Sequence, residues 1–188
     1  LYLKSFDNML QMQNELENIG LKVGKDYGCP LFMYCWEEEY TKLENKKILF
    51  VGQEYYAGWY LSEYSSPNDY KDKCDDFIDG TIKKYENFGL GESYSSYFWS
   101  FIKKVNKKFN AENATGKNIL WTNINKFGRA TGKGRPDRRV IDAENKYLVS
   151  VFKDELDIIK PDVVIFLTGP YYDEDIKNKI GTYKKEQI

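Results

Sequence analysis

Three short, largely apolar runs mark the chain: Ile48-Leu49-Phe50-Val51, Asn118-Ile119-Leu120-Trp121-Thr122 and Val163-Val164-Ile165-Phe166-Leu167. They are too short for helices and carry no polar face, the pattern of strands buried on both sides of a sheet. Between them the spacing turns helical. Phe6, Met9, Leu10, Leu16 and Ile19 share one helical face, and Gly20 supplies a stop. The Tyr-rich stretch 55–91 predicts one helix near 69–86. Ser95 or Ser96 can cap a helix to about Phe109, with Phe98, Phe101, Ile102, Val105 and Phe109 inward and Lys103, Lys104, Lys107 and Lys108 outward. Asp142 can cap a helix through Ile159, which Pro161 stops, and a last helix is expected near 173–180.

Strands alternating with helices predict βαβ crossovers and an α/β fold, with a mostly parallel sheet covered on both faces. Ligands of such sheets bind beyond the carboxyl ends of the strands. That rule selects Gln53-Glu54-Tyr55-Tyr56, Asn123-Ile124-Asn125 and Thr168-Gly169-Pro170-Tyr171 as the segments to search for chemistry.

Composition narrows the chemistry. At 188 residues the chain fits one domain spanning 1–188, and 41% hydrophobic with 30% charged residues is a globular balance. The net charge of −1 gives no bulk attraction to an anionic partner, so any nucleic-acid contact must come from local clustering. There is no histidine, and Cys29, Cys35 and Cys74 lack metal-ligand spacing. Cys/His zinc sites, Ser-His-Asp triads and Cys-His pairs are thereby excluded, and reduced packing cysteines in a cytoplasmic protein are expected. No apolar run approaches the roughly 20 residues that span a bilayer, so no membrane partner is expected. The N-terminus does not read as a signal peptide. It also lacks an initiator Met, so a trimmed sequence is expected.

A carboxylate released from a buried strand by Gly52, as Glu54 is, can orient a water or stabilise nearby positive charge. Glu54 would equally serve as a plain loop acid. The amide of Asn123 offers one acceptor and two donors, suited to a nucleobase edge, or to bonding its own turn. Tyr55, Tyr56 and Trp59 would supply flat stacking surfaces, although 16 tyrosines leave many in ordinary places. All four arginines (Arg129, Arg135, Arg138 and Arg139) fall within eleven residues after the second strand, joined by Lys126 and Lys133 among several glycines. Guanidinium groups suit phosphate contacts, so the segment reads as a DNA-backbone clamp or as a solvated basic loop.

These strand ends resemble the uracil-DNA glycosylase superfamily. Its first strand ends in a Gly-Gln-Asp-Pro-Tyr type of motif, matched by Gly52-Gln53-Glu54-Tyr55-Tyr56. The resemblance implies that Glu54 positions the attacking water and that Tyr56 screens out a 5-methylated base. It further implies that Asn123 reads the uracil edge and that Gly169 marks the third strand's end. The implied fold is a three-layer α/β/α sandwich, and the implied activity is hydrolysis of the N-glycosidic bond of uracil or a related base in DNA. No cofactor or metal is implied. Some relatives carry an iron–sulfur cluster, but these cysteines are not spaced for one.

Two departures matter: Tyr55 stands for the usual Pro and Glu54 for Asp. The family's fourth strand and its His-Pro-Ser type of loop have no counterpart, since the tail Gly181 to Ile188 is too short for them. Either the sequence is cut short of that segment, or the protein is a catalytically inactive nucleic-acid- or nucleotide-binding module.

Overall fold

The computed structural model describes residues 1–182 apart from 43, 45, 56–66, 92–94, 112, 113, 115 and 133. The three apolar runs are strands: β1 (Ile48–Gly52), β2 (Ile119–Asn123) and β3 (Val163–Phe166). All are parallel, in the order β2-β1-β3, with Gly52 opposite Asn123 and Val51 opposite Phe166. The helices are α1 (Phe6–Asn18), α2 (Glu37–Tyr40), α3 (Cys74–Phe88), α4 (Tyr97–Asn110), α5 (Arg138–Tyr147), α6 (Val149–Ile159) and α7 (Asp173–Ile180). No helix among the described residues is long and apolar enough to cross a membrane.

Helices lie on both faces of the sheet. Trp121 of β2 points one way, into an aromatic cluster with Tyr85 and Phe88 of α3 and Phe98 and Trp99 of α4. Thr122 points the other way, toward Glu155 of α6, as the two-residue period of a strand requires. On the free edge of β2 the Tyr85 hydroxyl donates to the Trp121 carbonyl (2.7 Å) and accepts from its N–H (2.9 Å). Both backbone groups that Trp121 would leave open on this edge are thus paired. By contrast β3, at the other edge of the sheet, is only half-buried, not covered on both faces as its composition predicts.

Three helix readings need correction. Ser96 does cap α4, its hydroxyl accepting from Trp99 N–H, but the buried face is Trp99, Ile102, Asn106 and Asn110, while Phe101 and Phe109 are exposed. The asparagines earn their burial by pairing. The amides of Asn106 and Asn118 exchange hydrogen bonds (2.9 and 3.1 Å), and Asn110 brackets the backbone of Lys46 just before β1. Every polar group so buried needs such a partner. The helix expected from Asp142 to Ile159 is two helices. Asp137 caps α5 by accepting from Arg139 N–H (2.9 Å), and Leu148 leaves helical geometry between α5 and α6. The break lets α5 pack on α1 while α6 turns to the sheet and α7. On α1, Met12 and Gln13 are buried where Ile19 was expected, and Ile19 is exposed.

Candidate functional site

The carboxyl ends of the strands continue as hydrogen-bonded loops. Ile124 N–H donates to the Gly52 carbonyl (2.9 Å), Asn125 N–H to Gln53 (3.1 Å) and Leu167 N–H to Val51 (2.7 Å). Gln53 is exposed, and its amide donates to the Thr168 carbonyl (2.7 Å), tying the end of β1 to the end of β3. Gly169 then turns the chain into a 3-10 turn, Pro170–Tyr172, and its carbonyl accepts from Tyr172 N–H (3.3 Å). Gln53, Glu54, Asn123 and Gly169 are thereby brought to one end of the sheet.

Asn123 is buried against bare backbone. A side chain at Gly52 would collide with Asn123 Oδ1, so the glycine is what lets the amide lie flat across the end of β1. The Phe98 ring comes within 3.5 Å of the same point. Asn123 Nδ2 is buried without a hydrogen-bond partner among the described residues, as are Asn125 Nδ2 and Arg135 Nε. All three are donors. They lie at the end of β2 and on the loop that follows it, and buried polar groups are nearly always paired.

Glu54 is half-buried, and its carboxylate accepts a 2.6 Å hydrogen bond from the Tyr172 hydroxyl. Burial pushes its carboxyl above the usual range, while the Tyr172 bond and the Arg135 charge hold it down. Arg135 lies over the Tyr172 ring, 4.7 Å from its centre, and pairs with Asp175 of α7.

The arginine segment is therefore divided. Arg135 turns inward to the strand ends, whereas Arg138 pairs with Asp142 (2.8 Å) and Arg139 with Asp137 (2.7 Å) on the exposed start of α5. Arg139 and its backbone N–H hold the Asp137 carboxyl down at about 2. Arg129 is exposed on the loop, beside Tyr27. Lys133, Tyr56 and Trp59 lie outside the described residues.

Two sequence readings fail here. Lys126 is not part of a basic surface: it is buried, 2.5 Å from Glu155 and within 2.5 Å of the Thr122 hydroxyl. Tyr55 is no stacking platform either. Its ring is buried against Gly128, and its hydroxyl donates to the Cys29 carbonyl (2.8 Å). A side chain at Gly128 would sit 2.7 Å from the Tyr55 backbone oxygen, which cannot swing away. Gly128→Ala is expected to destabilise the protein by about 1–3 kcal/mol through overpacking, read as a lower urea midpoint with unchanged slope. An unchanged midpoint would show that the loop yields freely.

Composition and period did not reveal Phe98, Tyr172, Asp175, Glu144 and Lys179 as parts of this end of the molecule. Glu144 accepts from the backbone N–H groups of Lys126 (3.0 Å) and Phe127 (3.2 Å) and pairs with Lys179, which also donates to the Ile124 carbonyl (2.7 Å). This buried pair holds the loop that follows Asn123. Among the described residues no three His, Cys, Asp or Glu side chains converge as a metal site. A cavity of about 790 Å³ lies at the other end of the sheet, against Trp36, Ile102, Asn106 and the first residue of β2, Ile119.

No protein-family model, curated protein or solved structure matches the chain.

Proposed function

We propose that the protein is a uracil-DNA glycosylase-like hydrolase, a three-layer α/β/α domain that removes uracil or a related modified base from DNA. The observation that carries this reading is the buried Asn123 Nδ2, unpaired among the described residues, at the end of β2, with Glu54 just past the end of the adjacent parallel strand β1. A uracil edge offers carbonyl acceptors beside an N–H. It would take the Asn123 Nδ2 donor on a carbonyl and give its N–H to Oδ1. The Phe98 ring, next to that amide, supplies an apolar wall for the flat base.

The reaction needs the nucleotide to leave the stack, at a cost of a few kcal/mol, and enter the crevice. As the N-glycosidic bond lengthens, positive charge builds on the sugar. Glu54 stabilises that charge and accepts a proton from the water that attacks the anomeric carbon. The base departs with the bonding electron pair, held through its edge by Asn123. Arg129, Arg138 and Arg139, exposed on the loop and at the start of α5, would act as the backbone clamp. Exposed ion pairs are worth only about 0–1 kcal/mol, so Arg138 and Arg139 can exchange their own carboxylates for phosphates.

The test is cleavage of a labelled oligonucleotide holding one uracil, followed by alkali to break abasic sites. Asn123→Asp replaces the unpaired donor by an acceptor. It is expected to lower uracil release by about 10- to 100-fold, the worth of one bidentate base contact, and to favour a base presenting an amino group there. An unchanged preference would remove Asn123 from base reading.

The lack of any histidine supports a second reading, a nucleic-acid-binding module without chemistry. Under it, the protein binds uracil-containing DNA and leaves every base in place.

A further inference from the structure

Glutamate has one more rotatable bond than aspartate, and a reacting carboxylate must be held in a single pose. Glu54 is held by a chain of contacts from three separate segments. Tyr172, on the turn after β3, donates its hydroxyl to Glu54 Oε2 at 2.6 Å. Arg135, from the loop after β2, lays its guanidinium over the Tyr172 ring at 4.7 Å from the centre. Asp175, in the first turn of α7, is buried and pairs with that guanidinium. A planar cation on an aromatic face fixes the ring plane, and the carboxylate behind it fixes the cation.

We propose that Tyr172, braced by the Arg135–Asp175 pair, is the positioning residue that fixes the Glu54 carboxylate for reaction. This rests on the glycosylase reading above and adds to it the device that aims the acid. It also gives Arg135 a task other than phosphate binding. Among the described contacts, Arg135 is the one arginine of the segment whose ring contact and ion pair face the strand ends.

Among the described residues, the charged and titratable groups acting on Glu54 are Tyr172 from the turn, Arg135 from the loop, Asp175 from α7 and Glu144 from α5. The first two favour the ionised carboxylate and the last two oppose it. Removing the Tyr172 hydroxyl therefore lets burial push the Glu54 carboxyl further up.

Two readouts on the full chain test the proposal, with Tyr172→Phe and Arg135→Lys as the variants. The first is carbon-13 NMR titration of the glutamate carboxyls, with the Glu54 signal assigned by its loss in Glu54→Gln. Tyr172→Phe should move the Glu54 midpoint to higher pH. The second is uracil release across pH. Tyr172→Phe should lower kcat by about 10- to 100-fold with KM little changed, and carry the acid limb to higher pH. Arg135→Lys keeps the charge but loses the plane, and should give a smaller kcat loss.

An unmoved Glu54 midpoint, with wild-type kcat in Tyr172→Phe, would overturn the positioning role while leaving the glycosylase reading intact. A shifted midpoint with no base released by any form would overturn the glycosylase reading, and with it the purpose assigned to Tyr172. Arg135→Lys matching wild type throughout would strike the brace from the proposal.

Discussion

Glu54→Gln is expected to abolish base release while leaving DNA binding nearly as tight as in the wild type. The substitution keeps shape and an acceptor for the Tyr172 hydroxyl, and removes only the charge and the basicity. A positioned acid or base typically contributes about 100- to 10,000-fold, so single-turnover cleavage should fall by that much. Fluorescence anisotropy with the same oligonucleotide should barely move. Equal cleavage by both forms would remove Glu54 from the mechanism.

The same variant carries a stability signature of opposite sign. The folded protein holds the Glu54 carboxyl above its ordinary value, chiefly through burial. Above the unfolded carboxyl's pKa, folding must therefore tolerate a carboxylate in a place that disfavours it. Glu54→Gln escapes that penalty, so it should melt higher than wild type near neutral pH. The advantage should vanish as pH falls through the unfolded value, where both states hold the proton. Lost activity with gained stability is the behaviour of a group kept for function.

Lys126→Met should destabilise the protein by about 3–5 kcal/mol, the usual result of leaving half of a buried ion pair behind. Lys126 and Glu155 are both buried, and burial pushes the lysine down and the carboxyl up while their contact opposes both shifts. Without the lysine, Glu155 keeps, among the described residues, the hydroxyls of Tyr2 (2.7 Å) and Thr122 (3.4 Å). Urea denaturation measures the loss. Adding Glu155→Gln, which removes the stranded charge but still accepts from Tyr2, should recover part of it. If the double variant were as unstable as the sum of the two single ones, the pair would not be coupled as drawn.

What was legible in the sequence follows from how each signal arises. The strands were readable because an apolar run bounded by glycine or proline has few other fates, and parallel pairing follows from the helices between them. The first residue of α4 was readable from Ser96, but its buried face was not. Asn106 and Asn110 go inside only because Asn118 and the backbone of Lys46 meet them there, partners that no helical period encodes. Lys126 and Lys179 were hidden for the same reason. A lysine reads as surface unless its carboxylate is known, and here the partners lie 29 and 35 residues away. Glu54 and Asn123 could be singled out because the ends of parallel strands are predictable places. Tyr172 could not, and Arg135 was readable only as part of a basic segment, since their meeting depends on two loops folding back over one another.

Those long closures bear on the order in which the molecule can assemble. Glu54 meets Tyr172 across 118 residues, Lys179 meets Ile124 across 55, and Arg135 meets Asp175 across 40. Local helices such as α1 and α4 need no such return of the chain. Contacts that close large loops form late, and synthesis proceeds from the N-terminus. A nascent chain can thus acquire helices and pair β1 with β2 well before the loops at the strand ends are tied together. Only when α7 swings in to meet the loop after β2 is the proposed site assembled, and refolding protein should regain helical signal sooner than it regains these long-range contacts.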